Sequence, residues 1–270
     1  MRIAVIAPAR PIDPVVAARA GAFAAIAFPA LDIGFHPQCF ESDGHFAGPD
    51  ARRAQVFLDT ANDPGVDAIW FARGGYGSNR ILAEVMPRLG PAARTKRYVG
   101  YSDLGFLLGA LYARGVGKVA HGPMAIDINR KGGDQTVART LAWLSGDAQG
   151  LEPGLAHRPA AAFNLSILQA LIGTPWLPDL TDHVLLIEEV SEPMYRVDRM
   201  LFQLAHATQL SGIAGVRLGA ISDVQANDPA WNEPIEDMMR RWCGEMGVPY
   251  LGRAEIGHTQ ANHVVPFGLA

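Results

Sequence analysis

Cysteine is nearly absent. Cys39 and Cys243 are the only two in 270 residues, and no CxxC pair or Cys/His cluster with metal-ligand spacing occurs. That excludes a disulfide scaffold and a structural zinc site. No run is apolar enough to cross a bilayer. The longest candidate, Ala20 to Leu31, is too short. The first residues, Met1 to Pro8, carry one charge and too brief an apolar run for a secretory signal, and they read as a buried first strand stopped by proline. A soluble cytoplasmic protein is expected. Charge of one sign is also missing. The 23 basic and 27 acidic residues leave a net charge of −4, with no Lys/Arg stripe, so nucleic acid is not the expected partner.

What is present is apolar residue in quantity, 49% of the chain, enough for a sizeable core and too much for disorder. Strand-like segments at Ile3–Ala7, Ala68–Ala72, Tyr98–Tyr101 and Val116–Ala120, with a weaker one near Ile33–Phe35, alternate with helical patterns. The helices fall at Pro49–Thr60, Asn79–Met86, Leu104–Ala113 and Gln135–Ser145. This alternation predicts an α/β fold, with a doubly wound, mostly parallel sheet covered on both faces. After Trp143 the composition shifts to glycine and proline. The spacing predicts an N-terminal domain over 1–145, a linker over 146–163 and a smaller mixed α/β domain over 164–270. The second unit reads as a helix at Leu165–Ile172, a strand at Val184–Val190 and a helix at Tyr195–Ala205, then a strand at Val216–Ser222, a helix at Pro234–Met246 and a short strand near Ala254–Ile256.

The candidate chemistry gathers at strand ends. Val99-Gly100-Tyr101-Ser102-Asp103-Leu104 runs from a strand through a glycine to a serine and then a helix. A serine there stands clear of the sheet beside unsatisfied helix N–H groups, which suits a nucleophile with an oxyanion site. The same residues also make an ordinary helix N-cap. The G-x-S-x-G elbow is not matched, because position 104 is leucine and glycine arrives at Gly105. Arg73-Gly74-Gly75-Tyr76-Gly77 follows another strand. It admits a tight turn, an oxyanion donor beside Ser102 or a phosphate loop. His121-Gly122-Pro123-Met124 shares that edge. Glu188 and Glu189 end an apolar strand and must point to opposite faces, so one is expected in solvent and the other inward, with histidine a natural partner. His258 and His263 are two candidate bases near the C-terminus.

Together these motifs resemble the LD-carboxypeptidase family of serine peptidases, which includes muramoyl-tetrapeptide carboxypeptidases and microcin C immunity peptidases. The matching stretches are Ala-Arg-Gly-Gly-Tyr-Gly (72–77), Gly-Tyr-Ser-Asp (100–103), His-Gly-Pro-Met (121–124), Asn-Leu-Ser-Ile-Leu (164–168) and Gly-Thr-Pro (173–175). They continue through Glu188 to Leu201 and close with Gly257-His258, Asn262 and Pro266-Phe267-Gly268. The resemblance implies Ser102 as nucleophile, Glu188 as triad acid and His258 as base. It implies an oxyanion hole from Asp103 and the Gly74-Gly75 pair. Arg73, Tyr76 and His121, on the loops at that edge, are candidate substrate contacts. It further implies a homodimer, no metal or organic cofactor, and a small peptide substrate, the murein tetrapeptide, cut before its terminal D-alanine. The alternatives are an immunity peptidase acting on a peptidyl-nucleotide antibiotic, for which Trp176 or Phe163 would serve as base clamp, and a non-catalytic nucleotide- or phosphate-binding module. The chain departs from the family's pattern in three places. Ala162-Phe163-Asn164 stands where Gly-Gly-Asn is common, Pro8-Ala9 stands where Pro-Ser is common, and only two residues follow Gly268, so a terminal strand is expected to be lacking.

Overall fold

The computed structural model describes residues 1–155 and 158–269. The chain begins with β1 (Arg2–Ile6), α1 (Pro14–Ala27), β2 (Asp32–Phe35), α2 (Asp50–Asn62), β3 (Ala68–Phe71), α3 (Leu82–Val85), β4 (Arg97–Gly100), α4 (Gly105–Ala113), β5 (Lys118–His121) and α5 (Gly133–Ser145). It continues with β6 (Ala160–Asn164), α6 (Leu165–Leu171), β7 (Val184–Val190), α7 (Met194–His206), β8 (Gly215–Ser222), α8 (Ile235–Met246), β9 (Tyr250–Arg253) and β10 (Val265–Pro266). Among the described residues these strands form two sheets, ordered β10-β5-β4-β3-β1-β2 and β6-β7-β8-β9. All pairings are parallel except that of β10 with β5. The α/β architecture with a mostly parallel first sheet is therefore present.

The strands of the first sheet are apolar runs because both faces are covered. Ala68–Phe71 is buried at every position. Helix α4 is buried continuously from Gly105 to Leu111. Two glycines give it poor intrinsic helicity. Packing holds it instead, since each fully buried leucine is worth about 1.5–3 kcal/mol. It lies between the first sheet and the second unit, and one apolar core joins Phe57, Phe71, Tyr98 and Leu107 to Phe163, Leu168, Leu185 and Met200. That shared core fixes the two sheets relative to each other.

The structure differs from the sequence expectations in four places. Helix α1 was not anticipated, although Asp13 caps it by accepting the Val15 N–H at 2.7 Å and Pro14 opens it. Its buried face is Val16, Ala17, Ala20 and Ala24, a stripe of small residues whose period is easily overlooked. The linker expected over 146–163 ends inside a sheet, because Ala160–Asn164 is β6. Three alanines in a row give no alternation to read. Ala156 and His157, also in that segment, lie outside the described residues. The end of the unit expected over 164–270 also reaches the first sheet. Val265 pairs with His121 and Pro266 with Ala120 in the first sheet. The closing strand expected near Ala254–Ile256 lies earlier, at Tyr250–Arg253.

Candidate active site

Parallel register brings three loops to one edge. Trp70 pairs with Val99, and Gly100 pairs with His121. The loops after β3, β4 and β5 therefore leave the sheet side by side at its carboxyl end, where open α/β sheets hold their ligands. A cleft of about 360 Å³ lies elsewhere, at the opposite ends of β4 and β5, where Arg97 and Lys118 line it.

Ser102 occupies the turn between β4 and α4 with φ of 59°. A non-glycine residue in the left-handed region is strained, and such strain concentrates at functional turns. The missing glycine at position 104 is answered one residue later. A Cβ on Gly105 would stand 3.1 Å from Ile167 Cγ2, so glycine there lets α4 close on the second unit. The sharp turn forms without the expected spacing.

Gly74 lies against this serine. A Cβ built on it would be 3.2 Å from Ser102 Oγ and 3.4 Å from the Asp103 nitrogen. Asp103 explains why the two loops stay together. Its buried carboxylate accepts the N–H of Gly77 at 3.2 Å and of Ser78 at 2.9 Å, while Ser78 Oγ donates to the Asp103 carbonyl at 2.6 Å. Burial raises the Asp103 pKa above the ordinary carboxylate value, against the pull of these hydrogen bonds. The sequence points to the Asp103 N–H but not to its carboxylate. An acid on the first turn of a helix after a strand is too common to signal it.

Glu188 and His258 meet across 70 residues. The His258 Nδ1–H donates to Glu188 Oε2 at 2.8 Å, with Glu188 fully buried and His258 nearly so. A carboxylate can only accept, so Nδ1 carries the proton and Nε2 keeps its lone pair. Burial alone would lower the His258 pKa, but the charge and hydrogen bond of Glu188 outweigh it and raise it above 6.5. Gly257 has φ of 119°, and a Cβ there would crowd Glu188 Oε2 at 3.1 Å. Only glycine lets the loop pass this close.

Other residues hold the imidazole from several sides. The Tyr101 ring lies 4.8 Å from that of His258, centroid to centroid. The Tyr101 hydroxyl donates to Asp127 Oδ1 at 2.9 Å. Arg130 Nε pairs with the same oxygen at 2.6 Å, and its Nη1 donates to the His258 carbonyl at 3.0 Å. None of Tyr101, Asp127 and Arg130 stood out as a group in the sequence, because only the fold assembles them. His121 is buried with 1% exposure. Its Nε2–H donates to Asn262 Oδ1 at 3.2 Å, and that oxygen also accepts the Gly257 N–H at 3.0 Å. Burial lowers the His121 pKa to about 4. It thus stays neutral and braces the loop that carries His258. His263 turns away to the carbonyl of Ala261 at 2.7 Å.

Glu189 corrects another expectation. It is as buried as Glu188, not solvated. Its carboxylate accepts Asn164 Nδ2, the Ser166 N–H and the Val190 N–H, each at 2.8 Å, and so ties α6 to β7. Both faces of β7 are covered, so alternation sends the two acids into two different interiors. Tyr76 is 45% exposed beside His45 and Phe46. Arg73 is half-buried, with Nη1 on the Pro11 carbonyl at 3.3 Å. Phe163 is buried against Phe267, and Trp176 lies under the Arg114 guanidinium at 4.6 Å. Phe163 thus has no free face, and one face of Trp176 is occupied.

Residues 3–122 match the LD-carboxypeptidase N-terminal domain and residues 161–270 the LD-carboxypeptidase C-terminal domain. The chain is 32% identical over 238 residues to a protein of Synechocystis sp. that carries a carboxypeptidase name, covering 83% of this chain and 75% of that one. It is 26% identical to the murein tetrapeptide carboxypeptidase of Pseudomonas aeruginosa, over 83% of this chain and 78% of that one. Among solved structures, a muramoyltetrapeptide carboxypeptidase from Oxalobacter formigenes superposes with a TM-score of 0.83 at 24% identity, covering 98% of this chain and 93% of that one. The microcin C7 self immunity protein superposes with a TM-score of 0.79 at 19% identity, covering 99% and 91%. At these identities the solved structures establish the fold.

Proposed function

The chain belongs to the LD-carboxypeptidase family, and from that premise we propose that it is a serine carboxypeptidase releasing a terminal D-amino acid from a murein-type tetrapeptide. The observation that carries this reading is the buried Glu188–His258 pair at 2.8 Å, joined through the Tyr101 ring to the strained turn of Ser102. In the proposed reaction His258 Nε2 takes the Ser102 proton as the hydroxyl attacks the amide carbonyl. Glu188 fixes the tautomer and stabilises the imidazolium. The N–H groups of Asp103 and of Gly74 or Gly75 receive the developing oxyanion. His258 then protonates the leaving amine, and water releases the acyl-enzyme. Neither a metal nor an organic cofactor enters these steps. The test is incubation of the purified protein with a murein tetrapeptide, with mass detection of tripeptide and free D-alanine. Turnover of a peptidyl-nucleotide in place of the tetrapeptide would favour the immunity reading. No turnover, with thermal stabilisation by nucleotides, would favour a binding module.

Two expected results bear on the residue roles. First, kcat/KM rises with pH through one ionisation lying above the ordinary histidine value of 6.5. The sign follows because the base must be unprotonated, and the Glu188 charge keeps the proton on to higher pH. In Glu188→Gln the main opposition to burial is gone and the midpoint moves down. A pH–rate profile of both proteins checks this, and an unmoved midpoint counts against His258 as base. Second, Glu188→Gln loses about 10³–10⁴ in kcat, as removal of a triad acid does elsewhere. Glu189→Gln loses less than about tenfold, because its carboxylate serves α6 and not the imidazole. The reverse ranking would exchange their roles.

A further inference from the structure

Arg10 follows β1 at the same sheet edge, and its side chain crosses Gly75. A Cβ on Gly75 would stand 2.3 Å from Arg10 Cδ and 2.8 Å from Cγ, and Gly75 has φ of 116°. Both facts demand glycine. The preceding residue, Gly74, lies against Ser102 Oγ. Two consecutive glycines therefore bring an arginine side chain to the flank of Ser102. Arg73, next in line, is the second cation. Burial and the charge of Arg10 both lower its proton affinity, so the two guanidinium groups feel each other.

Three other arginines near the site are each paired with a carboxylate. Arg53 and Arg80 pair with Asp50, and Arg130 pairs with Asp127. Among the described residues, no carboxylate lies within ion-pair distance of Arg10 or Arg73. Arg10 Nε is buried without a hydrogen-bond partner. Two like charges held together and partly out of water repel each other, and a buried donor without an acceptor is costly. An anion placed between them relieves both costs.

We propose that Arg10 and Arg73 form an anion subsite that takes the free terminal carboxylate of the peptide. The proposal rests on the peptidase reading above, since it takes Ser102 as the attacking group. In a carboxypeptidase substrate the free carboxylate belongs to the residue just beyond the attacked carbonyl, so its clamp must sit one residue from the nucleophile. Gly74 and Gly75 supply that spacing. Guanidinium is the cation suited to this work, because its planar fork matches a carboxylate in two parallel hydrogen bonds. A phosphate offers the same chemistry, and the experiment separates the two.

The measurement compares a tetrapeptide having a free terminal carboxylate with its terminal amide, using wild type, Arg10→Gln and Arg10→Lys. Wild type should prefer the free acid by about 10²-fold in kcat/KM, the scale on which a desolvated charge pair acts. Arg10→Gln should lose most of that preference through a raised KM on the acid, with a much smaller loss on the amide. Arg10→Lys should recover part of it. Equal losses on acid and amide would mean a structural role and overturn the subsite. So would wild-type indifference between the two substrates. Calorimetric binding to Ser102→Ala separates the failures. Binding of both peptides without discrimination overturns the subsite alone, while binding of neither overturns the peptidase reading together with it. Adenosine monophosphate is the phosphate probe, and Arg10-dependent stabilisation by it, with acid and amide peptides treated alike, would assign the subsite to phosphate and overturn the carboxylate.

Discussion

Replacing Ser102 with alanine should lower turnover by about 10⁶-fold, the scale seen when a triad nucleophile is removed, and leave the fold intact. The substitution deletes one hydroxyl. It keeps the Cβ that packs against Gly74, and it keeps the backbone that Asp103 and Ser78 lace to the neighbouring loop. Alanine is no more at ease than serine at φ of 59°. The thermal midpoint should therefore stay within a few degrees, since about 1 kcal/mol shifts a chain of this size by only about 2–4 °C. A folded variant retaining more than about a hundredth of wild-type turnover would remove Ser102 from the role. The other groups of the site would then need a different nucleophile, such as water activated by His258. Rate and circular dichroism on the same preparation decide between these outcomes.

The second large effect concerns handedness at the cut. Peptides ending L-Lys–D-Ala or L-diaminopimelyl–D-Ala should be cleaved at least about 10⁴-fold faster than their L-Ala counterparts, because a site that must satisfy buried polar groups rejects a substrate that leaves them unpaired. The oxyanion donors fix the carbonyl oxygen, and Ser102 attacks from one side. With the terminal carboxylate also held, the only freedom left to the last residue is which way its methyl points. An L-residue must place the methyl where the D-residue has hydrogen, or give up one of the polar contacts. Paired synthetic tetrapeptides differing at that centre alone make the measurement. Equal rates would describe a general carboxypeptidase and end the wall-peptide reading, even with every triad role upheld.

Much of the candidate site was legible because its parts are local. Strand, glycine, then helix is a pattern that the chain writes out three times, and parallel connections oblige the loops after β3, β4 and β5 to share an edge. The strand carrying Glu188 was placed at Val184–Val190, and the structure agrees. A run of Val, Leu and Ile buried on both faces can be little else. The weaker signals failed for physical reasons. The three alanines of β6 and the small-residue face of α1 bury little area per residue, so neither produced a pattern, although packing made both regular. Two-residue β10 has no local signature at all. It exists because β5 offers an edge.

The sequence by itself determined which chemical groups the chain carries at its loop ends. It also determined that a sheet would hold those loops, because hydrophobic period and turn chemistry act over a few residues. Only the tertiary structure decided which of those groups meet. Strand alternation allowed either Glu188 or Glu189 to face a histidine. The return of the chain from Gly257 to β10 is what seats His258 on Glu188 and leaves Glu189 to Asn164 and Ser166. Nothing local distinguishes His258 from His263, and His121 could as well have been exposed. The bracing of the His258 loop by Tyr101, Arg130 and His121 spans more than a hundred residues of chain, and the crossing of Arg10 over Gly75 spans some sixty. Periodicity carries no information over such separations. Those contacts follow from how the two sheets close on their shared core.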